Sequence, residues 1–249
     1  MQFDVHAHLD LYKNRDNIIN IFEQRKIYVI SMTNLPELYE KYDREYLSLS
    51  HVRFALGLHP ELVIDHSHQL PLFLSLLTKA RYVGEIGLDY SKTKSDADKK
   101  LQQQVFEQIV DGCKRNSNPK ILSIHSRNAA NEAIDIIGRY HGQVILHWLS
   151  DKNVKLNKAV DNGYYFSVNR QMVSYKSGQN LIRKMPVNRL LIESDAPFTK
   201  GNNPSYAIEQ LADTVNQLST IFEISLDEMN NTLSDNFRRL LKSEGPEKL

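Results

Sequence analysis

The chain has 249 residues, with 31 lysine and arginine residues against 30 aspartate and glutamate residues, nine histidines and one cysteine. This length supplies a core large enough to fold without disulfides or metal ions, and the net charge of +1 argues against binding nucleic acid by bulk electrostatic attraction. No apolar run approaches the roughly 18 residues of a membrane span, the first residues lack a secretory pattern, and the lone Cys113 cannot form an internal disulfide. We therefore expect a cytoplasmic protein without membrane contact.

Eight short apolar or β-branched runs recur along the chain, with amphipathic stretches between them. The runs, each predicted to form a strand, are Gln2–Val5, Ile27–Ser31, Val52–Leu56, Tyr82–Gly84, Ile121–Ile124, Gln143–Leu146, Gly163–Val168 and Leu190–Ile192. Helical periodicity is found in Leu70–Lys79, Ala97–Arg115, Asn128–Tyr140, Val154–Asp161, Pro204–Leu218 and Leu226–Leu241. Strands that alternate with helices in this way predict right-handed βαβ units and a parallel sheet.

Eight such units in about 250 residues match the size of a closed (β/α)₈ barrel. The alternative is an open doubly wound sheet, but no Gly-x-Gly-x-x-Gly follows the first strand to form a dinucleotide crevice. No linker rich in proline, serine or glycine divides the chain. We predict an α/β protein that forms a single TIM-type barrel over residues 1–249, with its functional site at the C-terminal ends of the strands.

Imidazoles and carboxylates cluster at these predicted strand ends. The first strand ends in Asp4-Val-His6-Ala-His8, and its alternation places Asp4, His6 and His8 on one face. The later strand ends carry His59, Glu85, His125, Arg127, His147 and Asp195. A lone histidine or glutamate at a strand end is more often a partnered structural residue, so the prediction of a functional site depends on the whole set.

Four imidazoles (His6, His8, His125, His147) and two carboxylates (Glu85, Asp195) converge on one barrel axis, and burying these groups without a cation would be costly. Six nitrogen and oxygen ligands without a thiolate suit Mg²⁺, Mn²⁺ or Zn²⁺. A single catalytic ion often needs only three protein ligands. We therefore expect two divalent ions roughly 3.5–4 Å apart, with one carboxylate bridging them.

The strand-end segments resemble a known family, and the matches run through nearly the whole chain. The matching segments are Asp4–Asp10, Gly57–Pro60, Gly84–Tyr90, Gln104–Gln108, Ile124–Arg127, His147-Trp148, Glu193–Pro197 and Asn236–Leu240. They resemble the TatD-like metal-dependent nucleases of the amidohydrolase-type barrel superfamily. Four further segments most resemble QatD, the TatD-like member of a bacterial antiphage gene cassette: Arg25–Ile30, Ala55–Pro60, Leu70–Phe73 and Arg81–Leu88.

The resemblance implies a reaction, a ligand set and partners. The family hydrolyses phosphodiester bonds in DNA, often from an end, and the QatD likeness implies partner proteins of an antiphage cassette. The ligands that the resemblance implies are His6, His8, Glu85 and Asp195 around one ion, and Glu85, His125 and His147 around the other. It also places His59 and Arg127 near the scissile phosphate. Asp151 and Ser167–Met172 depart from the family pattern, which leaves the substrate's shape in question.

Three of these side chains have expected catalytic roles, each with an alternative. Asp195 is expected to orient or deprotonate a metal-bound water, or else only to bind the ion. The Arg127 guanidinium matches two phosphate oxygens, or else forms a salt bridge at the barrel rim. His59 is expected to donate a hydrogen bond to the phosphate, or else is structural. We expect Asp4 to support the ligands rather than to bind an ion.

The mouth of the predicted barrel suggests a DNA strand end or a short single strand as substrate. Tyr90 and Trp148 are candidate stacking surfaces for bases, although Trp148 suits the core equally well. The candidate phosphate contacts are Lys92, Lys94, Arg127, Arg170 and Lys200.

Two other function classes compete with a nuclease. Other amidohydrolase-like enzymes act on amides and often use a carbamylated lysine as the bridge, but the fourth strand offers Glu85 and no lysine. A non-catalytic or partner-dependent barrel subunit would be favoured by loss of a ligand, and none is lost. Cys113 lies inside a predicted helix away from the strand ends, which argues against a cysteine nucleophile.

Overall fold

The structure is a computed structural model that describes residues 2–151, 153–199 and 204–242. Its strands are β1 (Phe3–Ala7), β2 (Tyr28–Met32), β3 (Val52–Ala55), β4 (Tyr82–Asp89), β5 (Ile121–Arg127), β6 (Gln143–Leu146), β7 (Tyr165–Val168) and β8 (Leu190–Ile192). Its helices are α1 (Arg15–Gln24), α2 (Pro36–Glu45), α3 (Val63–His66), α4 (Leu70–Leu76), α5 (Asp96–Arg115), α6 (Ala130–Ile137), α7 (Leu156–Asp161), α8 (Arg170–Ser174), α9 (Lys176–Ile182), α10 (Pro204–Phe222) and α11 (Leu226–Lys242). None of the helices in these ranges has the length and apolarity to cross a bilayer.

The strands are parallel and follow one another in chain order around the molecule. Strands β1 to β3 pair in one sheet and β4 to β8 in a second. Leu56 joins the two sheets, because its N–H donates to the Tyr82 carbonyl at 3.0 Å and its carbonyl accepts from Gly84 at 2.8 Å. On the opposite side, the Asp195 N–H donates to the His6 carbonyl at 2.9 Å. These links close the strands into the predicted (β/α)₈ arrangement.

Two strands that carry site residues, β4 and β5, continue well past their apolar patterns. The predicted fourth strand ended at Gly84, whereas β4 continues to Asp89 and is buried throughout. Strand β5 likewise continues past Ile124 to Arg127. Backbone pairing continues through these polar ends because their side chains turn toward a shared site instead of water, so the apolar pattern stops before the strand does.

Close approach of β4 and β5 requires a glycine. Gly87 has a φ of +137°, and a Cβ there would stand 2.0 Å from the His125 carbonyl oxygen. Only glycine tolerates both the backbone conformation and the contact. The pairing of Gly87 with His125 brings Glu85 and Asp89 of β4 beside that imidazole.

The outer helices bury apolar faces against the barrel. Helix α11 stacks Phe237 on Phe3 of β1, with ring centroids 4.3 Å apart and an interplanar angle of 3°. Helix α5 begins at a capping box, in which Ser95 accepts from the Asp98 N–H and the Asp98 side chain accepts from the Ser95 N–H. These contacts fix the helix ring around the strands and leave the strand ends to form the site.

We expect Glu23→Ala to lower the free energy of unfolding by about 1–3 kcal/mol, since its carboxylate accepts three backbone N–H bonds at the start of β3. The donors are Ser50 at 2.7 Å, His51 at 2.9 Å and Val52 at 3.2 Å. Urea denaturation at neutral pH measures the change. Glu107→Ala, which removes an exposed carboxylate on α5, is the control.

The Glu23 contribution should also depend on pH. Burial opposes ionisation of Glu23, but the N–H donors of His51 and Ser50 outweigh it and lower the pKa of the carboxyl. A group whose pKa is lowered on folding stabilises above its unfolded pKa and loses that contribution as the pH falls through the folded value. The stability difference between wild type and Glu23→Ala should therefore shrink in acid, and a difference that grows would contradict this role.

Candidate metal centre

The candidate site is a cavity of about 600 Å³ at the C-terminal ends of the strands. The predicted site residues that line it are His8, His59, Glu85, His125, Arg127, His147 and Asp195. His6 lies fully buried against this group, with its Nε2 3.3 Å from His8 Nε2. The fold therefore brings together all of the predicted ligands and both predicted phosphate contacts. No lysine of the described ranges lines the cavity.

Glu85 stands at the centre of the site and turns its two carboxylate oxygens toward different neighbours. Its Oε2 lies 3.1 Å from His8 Nε2 and 3.5 Å from His6 Nε2. Its Oε1 lies 2.5 Å from His125 Nδ1 and 3.2 Å from His147 Nε2. The two oxygens of this single carboxylate thus face different pairs of imidazoles.

Asp195 completes the group on the Oε2 side. Its Oδ1 lies 3.6 Å from His8 Nε2 and 3.7 Å from His6 Nε2. The backbone of Asp195 has a φ of +48°, in the left-handed region that aspartate and asparagine tolerate better than most residues. This turn after β8 brings the carboxylate back over the end of β1.

Three of the four imidazoles predicted to be ligands have a hydrogen-bond partner at the ring nitrogen that does not face the cluster. His6 Nδ1 lies 2.8 Å from Ser123 Oγ, and His125 Nε2 donates to Asp89 Oδ2 at 2.8 Å. His147 Nδ1 donates to Glu193 Oε1 at 3.4 Å. Such contacts fix the ring orientation and the tautomer, and they leave the opposite nitrogen free for a metal ion.

These supporting residues were not assigned by sequence, although strand alternation contains the signal. Ser123 lies two residues before His125, Asp89 lies four residues after Glu85, and Glu193 lies two residues before Asp195. An even spacing along a strand places both members of a pair on the same face. A polar residue at an even spacing from a predicted ligand is therefore a candidate partner for a neighbouring ligand.

Asp4 acts on the backbone and not on an imidazole. Its Oδ1 accepts from the His6 N–H at 3.1 Å and from the Ser194 N–H at 3.0 Å. Burial raises the pKa of this carboxyl to about 7. Asp4 therefore joins the end of β1, which carries His6, to the turn after β8, which carries Asp195.

The electrostatics of the cluster follow from burial and mutual contact. Burial disfavours the Glu85 anion, but the imidazoles of His59, His125, His147 and His6 lower its pKa well below the ordinary value. Burial, reinforced by His147, lowers the pKa of His6 to about 3. Burial raises the pKa of Asp195 to about 7, against the attraction of His147 and His8. His6 thus stays neutral, as a metal ligand must be. Burial also opposes charge on the other three imidazoles, but contact with carboxylates outweighs it and raises the pKa of His8, His125 and His147, so a bound cation would replace their protons.

The donor set fits a divalent cation. Three groups of side chains could each hold an ion, because each residue offers one ligand atom and the ligand atoms of a group lie within 4.8 Å of one another. The groups are His6 with Glu85 and His147, His6 with His8 and Asp195, and His59 with Glu85 and His125. Neutral imidazoles and carboxylates without a thiolate suit Mg²⁺, Mn²⁺ and Zn²⁺. Glu85 and Asp195 repel each other in the buried cluster, and a cation between them would remove that cost.

Comparison with known proteins agrees with this geometry. A family model described as TatD related DNase matches residues 3–242. The chain belongs to the TatD family. It is 26% identical to the metal-dependent hydrolase YabD of Bacillus subtilis, over 97% of this chain and 99% of that protein. It is 29% identical to the deoxyribonuclease Tat-D of Schizosaccharomyces pombe, over 53% of this chain and 42% of that protein.

A solved structure shows the same fold. The crystal structure of YjjV, a TatD homologue of Escherichia coli, superimposes with a TM-score of 0.80 at 24% identity and covers 96% of this chain and 97% of that one. This confirms the predicted barrel. The family match and the named relatives confirm the predicted enzyme class, a hydrolase of ester bonds.

Two departures from the TatD pattern have structural explanations. Asp151 accepts from the Asn128 N–H at 3.0 Å and the Ala130 N–H at 2.9 Å, so it ties the loop after β6 to the start of α6. Asn169 donates to Glu193 Oε1 at 3.0 Å, and Ser167 donates to its other oxygen. The residues after β7 therefore fix the carboxylate that orients His147.

The predicted nucleic-acid contacts divide into two groups. Arg127 and Trp148 line the cavity. Tyr90 does not line it, because its hydroxyl accepts from Gln103 Nε2 at 2.6 Å and the Lys99 ammonium lies 5.7 Å from its ring.

The remaining predicted cations also lie apart from the cavity. Lys92 and Lys94 are exposed outside it. Arg170 pairs with Asp213 at 3.5 Å, and Lys200 lies outside the described residues.

Proposed function

We propose that this TatD-family hydrolase is a phosphodiesterase that cleaves DNA from strand ends with two divalent ions. The observation that carries the proposal is the position of Glu85, whose two oxygens face two different sets of ligands. His6, His8 and Asp195 would hold one ion with Oε2, and His125 and His147 would hold the other with Oε1. Bound Mg²⁺, Mn²⁺ or Zn²⁺ lowers the pKa of water toward neutrality and offsets charge on a phosphate.

Asp195 is the proposed proton acceptor for the attacking water. Its carboxylate lines the cavity and is 4% exposed, so it faces the reacting atoms and little bulk water. A carboxylate within hydrogen-bond reach of the nucleophile can take its proton in the transition state. The hydrogen bond from the Asp195 N–H to the His6 carbonyl fixes the backbone that carries this side chain.

His59 and Arg127 are the proposed phosphate contacts. His59 Nδ1 accepts from the Glu61 N–H at 3.2 Å, so a neutral imidazole carries its proton on Nε2, which lies 3.4 Å from Glu85 Oε1. That N–H is available to a substrate oxygen beside Glu85. The Arg127 side chain is exposed and, within the residues that the structure describes, pairs with no carboxylate. Among the described residues, therefore, no carboxylate forms the rim salt bridge that was the alternative role of Arg127.

We expect Arg127→Lys to reduce kcat/KM by about 10-fold or more, with the metal content unchanged. Lysine keeps the positive charge but loses the planar fork that binds two phosphate oxygens, and a charge-assisted hydrogen bond contributes about 1.5–3 kcal/mol. Steady-state kinetics and elemental analysis of the same preparation measure the two quantities. Arg139→Lys, outside the cavity, is the control, and wild-type kinetics in Arg127→Lys would contradict the phosphate contact.

Metal add-back tests the proposed activity. The purified protein is stripped with a chelator, resupplied with Mg²⁺, Mn²⁺ or Zn²⁺, and incubated with end-labelled single- and double-stranded DNA and RNA and with closed circular DNA. We expect metal-dependent release of short products from DNA ends and little cleavage of closed circles. Cleavage of circles as fast as of ends would contradict end-directed action, and a metal-loaded protein inert on every strand would favour a partner-dependent barrel subunit.

We further propose that the enzyme belongs to the QatD group, works in the cytoplasm with partner proteins of an antiphage cassette, and folds as one unit over residues 1–249. The four QatD-like segments support this, and two of them, Ala55–Pro60 and Arg81–Leu88, lead into the site at His59 and Glu85. Phage infection of cells that carry the full cassette, with wild-type protein or Glu85→Ala, tests the role. Equal plaque counts for the two would contradict it.

A further inference from the structure

Phe198 has an aromatic side chain that the described part of the chain leaves largely uncovered. All nine phenylalanines lie in the described ranges, and of these only Phe198 is exposed, at 59% of its surface. It lines the site cavity. Single exposed apolar residues are common on protein surfaces, so it is the position of this ring in the wall of a polar site, and not its exposure alone, that points to contact with a ligand.

The backbone around Phe198 is held at several points. The Phe198 N–H donates to the Asp195 carbonyl at 2.9 Å, and the His8 N–H donates to the Ala196 carbonyl at 2.8 Å. The Thr199 carbonyl accepts from Gln210 Nε2 at 3.1 Å. The planes of the Phe198 ring and the His8 imidazole are nearly perpendicular, at 87°, and their centroids lie 5.0 Å apart. A ring that already packs against a neighbour loses little side-chain entropy when a ligand binds to it.

The cavity wall combines two kinds of side chain. Trp148 after β6 and Phe198 after β8 supply aromatic surface. His59 after β3 and Arg127 at the end of β5 supply phosphate-binding groups, with Glu85 on β4, the strand between β3 and β5. A nucleotide offers a partner to each kind, a flat apolar base and an anionic phosphate.

We propose that the Phe198 ring stacks on the base of the nucleotide whose phosphate lies between Arg127 and the ligand cluster. This inference rests on the proposed function and names the structure that the substrate must have at that site. A base inside a duplex has both faces stacked on its neighbours, so Phe198 selects an unpaired nucleotide at a strand end or in a single strand. Every base has a π-face, so the contact discriminates little among the four bases.

The test compares two substrates that differ only in their terminal bases. One is an eight-residue oligothymidylate, and the other is the same strand with abasic tetrahydrofuran spacers at the two terminal positions of each end. Stacking on one aromatic ring is worth about 5- to 150-fold per base, so wild-type KM should rise by that factor for the abasic strand while kcat changes less. Fluorescence anisotropy of the labelled strands measures binding independently of turnover.

Variants at Phe198 separate stacking from simple apolar contact. Phe198→Leu and Phe198→Ala should bind both strands equally weakly, whereas Phe198→Tyr and Phe198→Trp should keep the preference for the base-bearing strand. Tyr175→Ala removes a ring that is 63% exposed outside the cavity and is the control. Wild-type discrimination in Phe198→Leu would overturn the stacking role.

The outcomes also separate this inference from the proposed function. Hydrolysis of both strands by wild type at equal KM would support the proposed nuclease activity and overturn the stacking role of Phe198. Base-dependent binding without metal-dependent hydrolysis would overturn the nuclease and support Phe198. Equal binding of the two strands by every protein, with or without hydrolysis, would overturn the stacking contact.

Discussion

Glu85→Ala is expected to lose both metal ions and at least about 10³-fold in hydrolysis, because one carboxylate serves both groups of ligands. Its Oε2 faces His6 and His8, and its Oε1 faces His125 and His147. Metal ions contribute several kcal/mol of charge stabilisation in the transition state, and about 1.4 kcal/mol corresponds to a factor of ten in rate. Elemental analysis after gel filtration and kinetics on end-labelled DNA measure the two losses.

The fold should survive this change better than the activity, because a chain of 249 residues buries a core that does not depend on metal. Circular dichroism of Glu85→Ala should therefore match wild type. Glu107→Ala, which removes an exposed carboxylate on α5, should keep both its ions and its activity. Two ions still bound to Glu85→Ala would refute the bridging role.

Asp195→Asn is expected to lower kcat by about 10²- to 10⁴-fold, the usual contribution of a positioned general base. Asparagine is the informative substitution because it tolerates the φ of +48° at this position, so the backbone turn after β8 should be preserved. The amide keeps the shape of the carboxylate but cannot take a proton from water. It also weakens the group of ligands formed with His6 and His8.

The metal content distinguishes the two carboxylates. Asp195→Asn should bind one of the two ions more weakly and keep the other, whereas Glu85→Ala should lose both ions. Asp111→Asn, on the exposed side of α5, is the matched control for the amide substitution. Unchanged kcat in Asp195→Asn with full metal content would exclude Asp195 as the proton acceptor and leave it with no more than a minor part in binding.

Sequence patterns located the predicted ligands because of a property of parallel barrels. The C-terminal ends of all strands meet at one end of the barrel, so polar residues that interrupt apolar runs there converge even when they lie far apart in the chain. His6 and Asp195 illustrate this, since 189 positions separate them and the structure places His6 Nε2 3.7 Å from Asp195 Oδ1. Strand order and the residue types at strand ends were sufficient for that prediction.

The orientation of each ligand was decided by tertiary contacts. Strand alternation placed Glu85 on the inner face, but only packing against the neighbouring strands shows which imidazoles face Oε1 and which face Oε2. Asp89 and Glu193 hold imidazoles on other strands, and such pairing depends on register between strands that no local pattern encodes. The sequence pattern also ended β4 at Gly84, because the polar end of this strand, up to Asp89, pairs with β5 inside the barrel.

The amino-acid sequence by itself determined the alternation of strands and helices, the barrel and which polar residues gather at its candidate metal centre, because these follow from local periodicity and from the common direction of parallel strands. Only the tertiary structure decided which atoms face one another and which side chains stay uncovered. Phe198 reads in the sequence as one more apolar residue after a strand, yet the turn that holds it leaves the ring at the mouth of the cavity. Exposure depends on what the rest of the chain fails to cover, and that is a property of the whole fold.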